Sequence, residues 1–160
     1  MIVAKYPFPL AGGLEKQAHE LSKMLIRNNI KVCVLSYLFS SSQKKYELVN
    51  NVPVFRLTSP SNKYAKFIVL PFKVIYFMLL NRKSFNVVHL HTLSNVSLFS
   101  LLIAKLLKKT VVLKLANVGE LGLPSISNSC MGWKINLVKL SDAIIAMSYE
   151  SKKECDYINY

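Results

Sequence analysis

With 160 residues the chain has the size of one ordinary domain, and a folded chain of that length buries roughly 70% of the surface its unfolded form exposes. Apolar residues make up 52% and charged ones 18%, which excludes a disordered or low-complexity chain. Against 21 Lys and Arg stand 8 Asp and Glu, a net charge of +13, so the expected partner is anionic: nucleic acid, a phosphorylated ligand or membrane lipid.

Strand-like and helix-like stretches alternate along the chain. Ile2 to Tyr6 predicts a first strand, closed by Pro7-Phe8-Pro9 and then Gly12-Gly13. Leu14 to Asn28 follows as a helix, with Leu14, Ala18, Leu21 and Leu25 forming one apolar stripe and Asn28-Asn29 supplying the stop. Lys31 to Tyr37 predicts a buried strand, Phe39 to Lys45 a polar loop, and Val52 to Leu57 a short strand around Pro53. Lys63 to Arg82 predicts a helix with a break expected at Pro71. Val87 to His91, Thr110 to Leu115 and Ala143 to Ser148 predict three more strands, separated by helices at Ser94 to Leu107 and Met131 to Ser141. Such alternation implies right-handed crossovers and a mostly parallel sheet covered on both faces, an α/β Rossmann-like three-layer domain over residues 1–160.

Cys33, Cys130 and Cys155 lie far apart without a Cys-x-x-Cys pair, so no zinc site or disulfide framework is expected, and a reducing cytosol is the simplest compartment. Met1 to Tyr6 lacks a basic start and a long apolar core, so no signal peptide is expected. The longest apolar stretch, Phe67 to Leu80, is shorter than the ~20 residues a membrane-spanning helix needs. Lys63, Lys66, Lys73, Arg82 and Lys83 nevertheless flank or interrupt this Phe- and Tyr-rich stretch. That leaves two readings open, a core helix with a solvated rim or contact with an anionic lipid interface.

Several residues are candidates for chemistry. Gly12 and Gly13 sit between a strand and a helix, where a phosphate can approach bare backbone N–H groups; a plain tight turn is the alternative. His89 and His91 close a strand on one face, as substrate contacts or as packed, hydrogen-bonded core residues; a metal would need a third ligand that the sequence does not place nearby. After the next strand, Lys114, Asn117 and Glu120 belong to a loop with two glycines. Glu120 is a candidate general base or sugar-hydroxyl acceptor, and Lys114 a partner for phosphate or carboxylate; a solvated acid and a snorkelling lysine are the plainer readings. Ser148 is expected to cap a final helix.

Taken in order, four segments resemble the N-terminal domain of family-4 glycosyltransferases of the GT-B fold. They are Tyr6-Pro-Phe-Pro-Leu-Ala-Gly-Gly-Leu-Glu15 leading into Ala18-His-Glu-Leu-Ser22, Asn29-Ile-Lys-Val-Cys-Val-Leu-Ser36, Asn86-Val-Val-His-Leu-His91, and Ser141-Asp-Ala-Ile-Ile-Ala-Met-Ser148. Lys114 to Gly122 looks like the variant loop of members that build surface glycans. The resemblance implies transfer of a sugar from a nucleotide-sugar donor to a glycan or lipid-linked acceptor, without a metal or other cofactor. The glycine loop, here Gly12 and Gly13, would approach the donor diphosphate. Many members sit on the inner membrane face, which agrees with the basic charge and implies a cytoplasmic or peripheral protein.

The chain also departs from the family pattern. No glutamate has another eight positions on, so the donor-side glutamate pair is missing and the C-terminal donor-binding domain is expected to be absent or carried by a separate chain. Ala116 and Asn117 stand where many relatives have a histidine, and Asp142 and Asp156, the two aspartates, form no Asp-x-Asp metal motif. A nucleic-acid partner is not expected, because the basic residues are scattered and form no recognised motif.

Overall fold

The structure, a computed structural model, describes residues 1–6, 12–40, 42–116, 123, 133–158 and 160. The chain divides into two compact units, Met1–Lys73 and Val74–Tyr160.

In the first unit α1 spans Gly13–Arg27, β1 Val34–Leu38, β2 Tyr46–Val49 and β3 Val52–Thr58. The strand order is β1-β3-β2, with β1 parallel and β2 antiparallel to the central β3. The predicted first strand survives as a single parallel bridge, Ile2 to Leu35, flanked by bonds from Val3 N to Leu35 O (3.0 Å) and Leu35 N to Met1 O (2.8 Å). The backbone bends at Ala4 and Lys5, so the ladder does not become a full strand.

Of the expected stripe helix α1 buries Ala18 and half-buries Leu14, Leu21 and Leu25, with Ser22 buried beside them, and Ala18 joins Val3, Tyr6, Val34, Val52 and Val54 in the core of this unit. Its stop is the predicted one: Asn29 takes a left-handed φ of 60° and donates to Ile26 O at 2.9 Å. The short strand β2 is absent from the sequence prediction. It forms a two-residue hairpin with β3, in which Asn50 and Asn51 both carry positive φ and Val49 faces Val52. Pro53 fits inside β3 because pairing to β1 begins one residue later, at Val54.

Helix α2, Lys63–Leu80, runs through Pro71 without the expected break. Proline removes one helix hydrogen bond and crowds the preceding turn. Against that stand Leu70, Val74 and Met78, at most 3% exposed and spaced four apart, which hold the helix down along one stripe.

The second unit holds β4 (Val87–Leu90), α3 (Asn95–Leu106), β5 (Thr110–Leu115), α4 (Trp133–Val138), β6 (Ala143–Ala146) and α5 (Tyr149–Tyr157). Its sheet is wholly parallel with β5 central, in the order β4-β5-β6. Val88, Leu90, Val111 and Leu113 bury one face, and α3 supplies Leu98, Leu101 and Ala104 to the core. The aspartate of the Ser141-Asp-Ala segment has a structural task here. Asp142 Oδ2 accepts from Val111 N at 2.7 Å and Oδ1 from Lys105 Nζ at 2.8 Å, which ties the chain entering β6 to β5 and α3. Ser148 caps α5 as expected, with its Oγ accepting from Ser151 N and the Ser151 hydroxyl accepting from Ser148 N, a complete capping box.

Candidate functional site

Candidate residues gather at two places, one in each unit. In the first unit Gly12 precedes α1 and Gly13 opens it. Gly12 is extended (φ −79°), a conformation that demands no glycine, and makes no side-chain cap. A Cβ built on Gly12 or Gly13 meets nothing within 4 Å among the described residues. Neither backbone geometry nor packing among the described residues therefore requires glycine at these positions. Two glycines here forgo about 1 kcal/mol of helix propensity and a capping side chain, so the N-cap residue itself satisfies none of the first N–H groups of the 15-residue helix. Such a terminus attracts an anion through its N–H groups and dipole, although Glu15 in the same turn opposes it.

Tyr6 is firmly anchored. Arg56, 3% exposed, donates from Nε and Nη2 to Tyr6 O (3.3 and 3.2 Å) and from Nη1 to Lys44 O (2.9 Å), and pairs with Glu47. The Tyr6 hydroxyl meets His19 Nδ1 at 3.0 Å, and Asn50 Nδ2 donates to His19 Nε2 at 3.1 Å. With Nε2 accepting, Nδ1 carries the proton and donates to the tyrosine oxygen. Sequence reasoning did not single out this set. Its signal was a lone arginine in an otherwise apolar strand, Val52 to Leu57.

In the second unit His89 and His91 share the sheet face opposite Val88 and Leu90, as alternation predicts. Their rings stack with centroids 4.2 Å apart and planes at 29°. His91 is 1% exposed, and its Nδ1 and Nε2, with Nε2 of His89, are buried without a hydrogen-bond partner among the described residues. Register puts Lys114 two residues beyond Val112, the partner of His89, and so on the same face; it is 5% exposed. Burial above all pushes His89 down to about 4. Burial, then His89 and Lys114, push His91 down to about 3. Burial also lowers Lys114. Both imidazoles are thus neutral at pH 7, each with one donor and one acceptor, a set that matches a hydroxyl rather than an anion. They stand at the C-terminal end of a parallel strand, where ligands of open α/β sheets bind.

Asn117 and Glu120 lie outside the described residues. Among the described residues no three His, Cys, Asp or Glu side chains come together as a metal site. No described helix is long and apolar enough to cross a membrane.

Parallel strands packed with helices are the frame the sequence implied, and sequence comparison adds the family. The model of Glycosyltransferase Family 4 matches residues 11–156, and the chain belongs to that family. Among solved structures, sucrose-phosphate synthase from Thermosynechococcus elongatus superposes with a TM-score of 0.65 at 14% identity, over 92% of this chain and 40% of its own. MurG from Acinetobacter baumannii superposes with a TM-score of 0.55 at 17% identity, over 84% of this chain and 38% of its own. This chain thus spans about two fifths of the length of these structures. The likeness is one of fold, the Rossmann-like half of a GT-B glycosyltransferase. Comparison with curated protein sequences finds no match.

Proposed function

We propose that this chain is the acceptor-side half of a hexosyltransferase-like enzyme, taking part in sugar transfer from a nucleotide-sugar donor to a glycan or lipid-linked acceptor of surface polysaccharide synthesis. The observation that carries the reading is the start of α1, where two glycines sit without any need from the backbone or from packing among the described residues. When the bond between sugar and donor breaks, negative charge grows on the departing diphosphate. Bare N–H groups and the positive end of α1 stabilise that charge more than they stabilise the intact donor, which is how they would accelerate transfer. The neutral His89–His91 pair, Lys114, Asn117 and Glu120 are the candidates for acceptor hydroxyls. No metal enters this scheme. The donor-side glutamate pair would come from a second domain or a separate chain.

Capture of the tagged chain from its own cells in mild detergent, with mass spectrometry of what accompanies it, tests this reading. Recovery of a polypeptide carrying the donor-side glutamate pair is expected. Recovery of the folded, abundant chain alone would favour a second reading, a non-catalytic module of the inner membrane face. The long exposed apolar face of α2 favours that second reading.

A further inference from the structure

Trp133, the one tryptophan of the chain, stands 53% exposed at the start of α4, whereas tryptophan is on average among the well-buried residues. Phe99 of α3 is 38% exposed. The two line a hollow of about 170 Å³ with Asn95, Leu98 and Leu137. Spacing builds it: Asn95 and Phe99 are four apart on α3, Trp133 and Leu137 four apart on α4, and the two helices pack together. Leu98, 3% exposed, closes the inner side. At the rim the Lys134 ammonium lies 2.9 Å from Asn95 Oδ1 and 6.0 Å from the Trp133 ring centre. Among the described residues both partners are uncharged, so the lysine keeps its charge for a ligand. Asn95 accepts through Oδ1 and retains its amide nitrogen as a donor.

Size and chemistry indicate the occupant. The hollow is smaller than the ~300 Å³ at which sites for drug-sized ligands begin, and suits a single ring. Two aromatic side chains call for an apolar face, and the lysine and amide call for oxygen atoms at its edge. A pyranose offers both, with C–H bonds on its face and hydroxyls around it. Charge narrows the class. Over residues 74–141 eight Lys and Arg stand against a single acid, Glu120, so this unit attracts an anionic chain.

We infer that the hollow between α3 and α4 binds a uronic-acid ring of an acidic glycan, its C–H face on Trp133 and Phe99 and its carboxylate on Lys134. None of these residues belongs to the His89–His91–Lys114 set. The inference rests on the proposed function for its class of ligand, a glycan, and adds that the glycan is acidic. Loss of sugar transfer with glycan binding intact would refute the transferase reading alone, and loss of binding with transfer intact would refute this inference alone.

Trp133 reports on its own site. Its fluorescence in the 160-residue chain is followed while oligogalacturonate, or neutral maltooligosaccharide of equal length, is added. A saturable change is expected with oligogalacturonate, weakening as salt is raised, and none with the neutral sugar. Lys134→Gln should raise the half-saturating concentration about tenfold and Phe99→Ala about fivefold, each with the circular dichroism of wild type. No response to oligogalacturonate, an equal response to maltooligosaccharide, or both variants binding like wild type would overturn the inference. So would tighter binding of oligothymidylate at Trp133, which would give the hollow to single-stranded nucleic acid. A wild-type dimer that Phe99→Glu splits would overturn it as well, since a second copy would then fill the hollow.

Discussion

Two imidazoles held neutral inside the fold make its stability depend steeply on pH. His89 and His91 sit at about 4 and about 3, against an unfolded value near 6.5. Because both folded values lie below the unfolded one, the unfolded chain binds more protons throughout that window. Their contribution is therefore complete above pH 6.5 and is lost as pH falls toward the folded values. Each imidazole adds a slope of at most about 1.4 kcal/mol per pH unit, so the pair costs roughly 2 kcal/mol between pH 6 and pH 5. Against a typical stability of about 5 to 15 kcal/mol that is a large fraction. Urea unfolding followed by far-ultraviolet circular dichroism at a series of pH values measures it, in wild type and in His91→Leu. The leucine removes a ring whose nitrogens have no partner among the described residues, so the variant should match or exceed wild type at pH 7.5. As pH falls, wild type should lose stability faster than the variant by about 1.4 kcal/mol per pH unit. Carboxylates titrate alike in both proteins and cancel in the difference. Parallel curves for the two would refute the reasoning.

Three further outcomes follow from the packing. Gly13→Ala places a methyl at the start of α1 where it meets no described residue and should raise stability by about 0.5 to 1 kcal/mol in urea unfolding. Arg56→Met strips cationic donors from Tyr6 O and Lys44 O and should cost about 3 kcal/mol. Calorimetry would read that as a drop of about 6 to 12 °C in the unfolding midpoint for a chain of this size. Ser148→Ala removes the N-cap of α5 and should cost about 1 kcal/mol by urea unfolding.

Elements buried on both faces were the most legible in the sequence. Thr110 to Leu115 is predicted and observed over the same residues, since a short apolar run between a lysine pair and a loop has few other solutions. Strand β2 escaped because Tyr46 to Val49 alternates between exposed and half-buried and lacks an apolar run; the Asn50-Asn51 turn was the signal that could have found it. Pro71 misled because proline's local cost was weighed without the stripe that outweighs it. At the candidate site, alternation alone put His89 and His91 on one face, but their stacking and lack of partners depend on which neighbours close over them. The same holds for α2: a helix apolar all round does not reveal in sequence which arc the protein covers.

The central claim is that the Gly12-Gly13 turn holds a donor diphosphate during sugar transfer. The most direct test supplies radiolabelled UDP-glucose, UDP-N-acetylglucosamine and GDP-mannose in turn to the chain reconstituted with its donor-binding half and a membrane extract as acceptor. Gly13→Asp, placed where a Cβ meets nothing among the described residues, should keep the folded spectrum and lower transfer at least about a hundredfold, the scale of losing an oxyanion-type stabiliser. Transfer by Gly13→Asp at the wild-type rate would contradict the account.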